Sequence, residues 1–226
     1  MIMNKNIFVA CDVSSQKEIL ELLSKIHNEI SGIKIGLQYI TKHSPEDIRE
    51  LGKFKKPIFY DGKFFDIKNT LIESIKSLKD LNVSYCTVHL LNGLETLIAA
   101  NNIANDLNIK LLGVSVLTSF GDDELKQLGF KDQVEDQVLR LIKIADKANL
   151  HGVICSPLET KTIKKVAPNL KCFTPGIRQD KNKDDQKRTM NAKQALDAGS
   201  DCLIIGRPIT NGDPKKNIQN ILSSLN

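Results

Sequence analysis

Pro57-Ile58-Phe59-Tyr60-Asp61-Gly62-Lys63-Phe64-Phe65-Asp66 is an apolar run that closes on three charges. Read as an extended strand over Pro57 to Lys63, it alternates its side chains between two faces. Asp61 and Lys63 then share a side, and Asp66 falls in the turn beyond. An acid, a base and a second acid can converge there. A salt-bridged strand end is the plainer reading of any isolated D-x-K-x-x-D, so the rest of the chain has to separate the two.

Outward from this run, short apolar segments alternate with segments of helical period. Strands are expected at Ile7 to Asp12, Ile33 to Leu37, Pro57 to Lys63, Tyr85 to Leu90, Lys110 to Leu117, Gly152 to Cys155, Leu170 to Thr174 and Cys202 to Ile205. Between them, Ser15 to Ile30 carries Ile19, Leu22, Leu23, Ile26 and Ile30 on one face, with Ser14 or Ser15 as N-cap. Asn69 to Leu81, Gly93 to Leu107, Gln133 to Ala148, Leu158 to Val166, Asn191 to Ala198 and Pro214 to Leu225 repeat the pattern, and Pro45 to Leu51 is a short helix. Eight such βα units predict a single α/β domain over residues 1–226, a closed (β/α)8 TIM barrel. An open doubly wound sheet would call for G-x-G-x-x-G after its first strand, and Cys11-Asp12-Val13-Ser14 lacks those glycines.

Composition narrows the classes. The chain has 226 residues, 41% hydrophobic and 26% charged, as expected of a globular protein. Its net charge of +5 comes without a consecutive basic run, which argues against a nucleic-acid arm. A slight cationic excess suits a phosphorylated substrate. With no apolar stretch near membrane-spanning length and no signal-like N-terminus, the expected location is cytoplasmic. The five cysteines, Cys11, Cys86, Cys155, Cys172 and Cys202, form no C-x-x-C and each falls in an expected strand. Buried, reduced thiols follow, and neither a disulfide framework nor a zinc site.

A barrel of this kind takes its catalytic groups from the C-terminal ends of several strands. Asp12 ends the first expected strand. Lys34 lies between Ile33 and Ile35 on the opposite face, and a lysine pointing into a barrel requires a carboxylate. Asp12, Lys34, Asp61 and Lys63 thus form a balanced row over three neighbouring strands, which favours a functional site over a lone ion pair. His89, near the end of the fourth strand, reads as a hydrogen-bonded core histidine. Ser115-Val116-Leu117-Thr118-Ser119 ends the fifth in hydroxyls that could contact a substrate or cap a helix. After strands seven and eight come Thr174-Pro175-Gly176-Ile177-Arg178 and Gly206-Arg207-Pro208-Ile209-Thr210, where barrels often hold phosphate. The polar run Gln179 to Arg188 between them is a candidate lid.

These motifs together resemble the orotidine 5′-phosphate decarboxylase family. The match extends through Val9-Ala10-Cys11-Asp12, Lys34-Ile35-Gly36, Asp61-Gly62-Lys63-Phe64-Phe65-Asp66-Ile67, Leu117-Thr118-Ser119, Thr174 to Arg178 and Ile205 to Thr210. The resemblance implies a homodimer with shared active sites that converts orotidine 5′-monophosphate (OMP) to UMP and CO2 using neither metal nor organic cofactor. By the same resemblance, Lys63 protonates C6, Asp61 lies against the substrate carboxylate, and Asp66 comes from the other subunit. Lys34, which belongs to the catalytic row, and Asp12 hold ribose hydroxyls. Ile67 joins the substrate-binding set, the partner's Thr70 lies near the ribose, and Thr118 lies by the pyrimidine. Arg178, Gln186, Gly206 and Arg207 hold the phosphate. Three positions depart from the family pattern: Phe65 stands where histidine is usual, Lys68 where proline is usual, and Gly62 where an apolar residue is usual. Mg²⁺-dependent sugar-phosphate enzymes of the same superfamily share D-x-K-x-x-D and form the alternative, which EDTA would discriminate. A non-enzymatic module that binds phosphorylated ligands is the other, and it would bind UMP without turning over OMP.

Overall fold

The computed structural model describes residues 6–13, 15–178 and 189–225. Eight parallel strands close into a barrel in sequential order: β1 (Ile7–Ala10), β2 (Gly32–Gly36), β3 (Ile58–Phe64), β4 (Val83–His89), β5 (Lys110–Val114), β6 (Gly152–Ile154), β7 (Lys171–Thr174) and β8 (Cys202–Ile205). The helices are α1 (Gln16–Ile26), α2 (Leu37–Ile40), α3 (Pro45–Glu50), α4 (Lys68–Lys76), α5 (Leu94–Asp106), α6 (Asp122–Gln127), α7 (Val134–Lys147), α8 (Thr160–Val166), α9 (Ala192–Asp197), α10 (Arg207–Thr210) and α11 (Pro214–Ser224). Among the described residues no helix is long and apolar enough to cross a membrane.

Both faces of the strands are buried, which is why they read as continuous apolar runs rather than alternating ones. In β1, Ile7 and Val9 pack outward with Ile19, Leu22, Leu23 and Ile26 of α1, while Phe8 and Ala10 belong to a separate interior cluster. Each of those α1 side chains contributes roughly 1.5–3 kcal/mol by leaving water. The interior is filled at one level by Phe8, Phe59, Tyr85 and Phe173, whose ring centroids lie 5.4–6.3 Å apart, mostly edge to face. Gly32 makes that floor possible. A Cβ there would sit 2.2 Å from Phe8 Cε1, so the ring occupies the space a side chain would take.

The eight strands and the barrel are where the sequence puts them, but several boundaries differ. β1 stops at Ala10 and β5 at Val114, leaving Cys11, Asp12 and residues 115–117 in the loops above. Cys11 and Cys155 therefore lie just past strand ends, although all five thiols are buried and unpaired. Leu37 starts α2 instead of ending β2. The first helix is capped by Ser15, which accepts from Glu18 N–H, and Ser14 lies outside the described residues. It ends at Ile26 and not Ile30; Ile30 stays buried, so its apolar period reflects packing of the turn. The expected helix to Leu81 breaks after Lys76 into a 3₁₀ turn, then left-handed Asn82 (φ 53°). The short helices α2, α6 and α10 were not anticipated, since four to six residues cannot display a full amphipathic period.

Candidate functional site

Above the aromatic floor a cleft of about 670 Å³ opens at the C-terminal ends of the strands. Asp12, Lys34, Asp61 and Lys63 line one part of it. Thr118, Ser119, Pro175, Gly176, Arg178, Gly206 and Arg207 line others.

The acidic and basic side chains form a chain of contacts across β1, β2 and β3. Lys34 Nζ lies 3.2 Å from Asp12 Oδ1 and 3.5 Å from Asp61 Oδ2, and Lys63 Nζ lies 2.8 Å from the same Asp61 oxygen. Burial is deepest in the middle of the row: the side chains of its two ends, Asp12 and Lys63, are 53% and 33% exposed, and those of Lys34 and Asp61 between them 8% and 12%. An ammonium as buried as Lys34 would cost several kcal/mol alone, and its two carboxylates offset that. Burial pulls the Lys34 ammonium down, but Asp61 and then Asp12 outweigh it and hold it above the usual lysine range. Burial likewise pushes Asp61 up, and Lys34 and Lys63 reverse the direction, leaving it below the usual carboxylate range. Lys34 and Asp61 therefore stay charged at neutral pH. Gly36 gives the row room, because a Cβ there would lie 2.9 Å from Asp12 Oδ1 and 3.0 Å from Lys34 Nζ.

Asp61 and Lys63 do meet, though simple strand alternation is not the cause. β3 and β4 are in register at Tyr60↔Cys86 and again at Phe64↔Val88, so Asp61, Gly62 and Lys63 bulge opposite the single residue Thr87. Lys63 sits at φ 47°, a left-handed conformation that costs a non-glycine residue roughly 1–2 kcal/mol. Thr87, fully buried on β4, was not singled out from the sequence. It accepts from Lys63 N–H at 2.8 Å and donates to Asp61 Oδ1 at 3.1 Å. The available signal was the set of side chains bearing polar atoms at alternate positions, Tyr85, Thr87 and His89, along one face of the strand.

Other expected positions divide. Thr118 lines the cleft, whereas Ser115 is buried and donates to Ile154 O. His89 accepts from Leu91 N–H and packs its ring 5.5 Å from that of Phe65. Burial, then the Lys63 charge, lower its basicity. Arg178 is anchored at its backbone, its N–H donating to Met190 O at 2.9 Å, while Met190 N–H donates to Gly176 O. The candidate lid 179–188, with Gln186, lies outside the described residues. A Cβ at Gly206 would come no nearer than 3.4 Å to Ala10 Cβ, so what a side chain there would take is chiefly cleft volume.

Asp66, Ile67 and Thr70 do not line the cleft of their own chain; all three are exposed at its flank. Asp66 N–H donates to Asn92 Oδ1, and Asn92 Nδ2 donates to Phe64 O, tying the loops after β3 and β4 together. On those loops Phe65 is 62% and Ile67 75% exposed, with Leu91 and Leu94 close in sequence to Asn92 and also exposed. Of the departures, Gly62 is covered by Tyr60 and Phe64, whose rings lie 5.8 Å apart and would crowd any Cβ. Lys68 pairs with Glu95 at 2.7 Å.

Residues 5–221 match the sequence pattern described as the orotidine 5′-phosphate decarboxylase / HUMPS family. The orotidine 5′-phosphate decarboxylase of Wolbachia pipientis subsp. Culex pipiens (strain wPip) is 38% identical over 97% of this chain and 98% of its own. That of Ehrlichia canis (strain Jake) is 36% identical over 97% of each chain. Among solved structures, the orotidine 5′-phosphate decarboxylase of Lactobacillus acidophilus superposes with a TM-score of 0.85 at 31% identity, covering 98% of this chain and 99% of the other.

Proposed function

This chain belongs to the orotidine 5′-phosphate decarboxylase / HUMPS family, and we propose that it converts OMP to UMP and CO2, the last step of UMP synthesis. The observation that carries the reading is the charge row Asp12–Lys34–Asp61–Lys63 opening into the same cleft as Arg178 and Arg207. Breaking the C6–carboxylate bond leaves its electron pair on C6, with no adjacent π-system to delocalise it. Fixed charges and a nearby proton donor must therefore stabilise the transition state. Lys63 supplies both. Its ammonium faces the developing carbanion, gives it the proton that becomes C6–H, and is reprotonated from solvent. Asp61 lies against the substrate carboxylate and holds Lys63 in place, so the ground state sets two like charges together, a repulsion relieved as the carboxylate leaves as neutral CO2 and its negative charge passes to C6 beside the Lys63 ammonium. Lys34 and Asp12 take ribose hydroxyls, and Thr118 lies by the pyrimidine. Arg178, Gln186, Gly206 and Arg207 take the phosphate, whose binding energy is available to the transition state.

The active unit in this reading is a homodimer in which Asp66, Ile67 and Thr70 serve the partner's cleft. Their exposure beside Phe65, Leu91 and Leu94 supports it, since side chains that serve no role in their own chain form an apolar flank. The Mg²⁺-dependent alternative fits the row less well. Asp61 already receives two ammonium groups and a hydroxyl, a poor setting for a further cation.

Loss of OMP absorbance, followed with and without EDTA, tests the assignment. Wild-type protein should turn OMP over at the same rate in both. Lys63→Ala should lose nearly all turnover yet keep its affinity for UMP, because the phosphate contacts lie elsewhere. Turnover near wild type in that variant would remove Lys63 from its role.

A further inference from the structure

We propose that Thr87 is the positioning residue of the decarboxylation, holding Lys63 and Asp61 in register through one hydroxyl; the assignment rests on the reaction proposed above. Its side chain is fully buried and does not line the cleft, so it acts through its neighbours and not on substrate.

The argument starts from the bulge. Asp61, Gly62 and Lys63 all face Thr87, so the ladder of β3 and β4 cannot satisfy the amide of Lys63 in the ordinary way. Thr87 Oγ1 takes that amide at 2.8 Å, fixing the residue in its left-handed conformation. A hydroxyl has one proton, and here it is committed to Asp61 Oδ1 at 3.1 Å. The hydrogen bonds therefore run in one direction, from Lys63 N–H through Thr87 Oγ1–H to Asp61 Oδ1. That engages one carboxylate oxygen from behind and leaves Oδ2 to both ammonium groups, Lys63 at 2.8 Å and Lys34 at 3.5 Å. Backbone and side chain of Lys63 are thus referred to the same carboxylate by two routes. Without the hydroxyl, Asp61 is held only through Oδ2 by its two ammonium partners, and the Lys63 backbone has no acceptor at that position.

The test compares Thr87→Val, which keeps the shape and loses the hydroxyl, with Thr87→Ser, which keeps the hydroxyl. Thr87→Val should lower kcat on OMP by about 10- to 100-fold, the scale of a sub-ångström to ångström misplacement of a reacting group, with KM changed by less than about threefold. The acid limb of its kcat–pH profile should move to higher pH, because the Asp61 carboxylate has lost a donor. Thr87→Ser should keep most of the activity and the wild-type pH limb. The amide of Lys63, followed by NMR hydrogen exchange without substrate, should exchange faster in Thr87→Val and stay protected in Thr87→Ser. Wild-type kcat in Thr87→Val, or a loss in Thr87→Ser as large as in Thr87→Val, would overturn the proposal. Failure of the wild type to turn over OMP would overturn the decarboxylase reading alone. The exchange measurement would then still decide whether Thr87 holds Lys63, and an unprotected wild-type amide would refute it.

Discussion

Asp61 is the residue on which three other side chains depend, and its pH behaviour follows from theirs. Its carboxyl is held below the usual range despite burial, so its contribution to stability is complete above about pH 4 and is lost as pH falls through the lower folded value. Lys34 is the mirror case. Its ammonium is held above the usual range, so its contribution is complete below about pH 10 and is lost as pH rises through the higher folded value. Urea midpoints should accordingly be flat through the neutral range on account of this pair and fall at both extremes. Asp61→Asn should flatten the acid fall. It should also cost about 3 kcal/mol at neutral pH, because Lys34 keeps only the half-exposed Asp12. A cost below about 1 kcal/mol would mean that the buried lysine does not rely on Asp61.

At the scale of elements, the interior level of β1 and β2 is set by a large residue against an absent one. Gly32→Ala should drive the Phe8 ring from its place and destabilise the protein by about 1–3 kcal/mol in thermal or urea unfolding. Adding Phe8→Leu should recover part of the loss, so that the double variant costs less than the two single ones together. Additive costs would show that ring and glycine are not coupled. The same elements show what a sequence can reveal. The strands were legible because parallel strands covered on both sides are plain apolar runs, and Lys34 stood out as a charge flanked on both sides by isoleucine within such a run. Asp12, Lys34, Asp61 and Lys63 could be grouped because barrel geometry brings successive strand ends together. Thr87 could not, since its importance comes from a bulge in the neighbouring strand, and register shifts leave no periodic trace. The ends of β1, β2 and β5 were overrun for a related reason: apolar residues such as Val116 and Leu117 continue into loops that line the cleft.

For the whole molecule, the proposed sharing of sites between two chains has an arithmetic consequence. Lys63→Ala and Asp66→Ala homodimers should both be impaired, whereas a mixed dimer carries both lesions in one site and none in the other. Equal amounts, randomly reassorted, make half the dimers mixed and should return activity to about a quarter of wild type. If mixed dimers form and activity does not rise, the two residues act within one chain. The aromatic floor of Phe8, Phe59, Tyr85 and Phe173 adds a consequence of another kind. It closes the cleft at its lower end, like the bottom of a shaft. A reaction that releases a gas at the bottom of such a shaft must send that gas out along the route by which the nucleotide came in, so CO2 either slips past UMP or queues behind it.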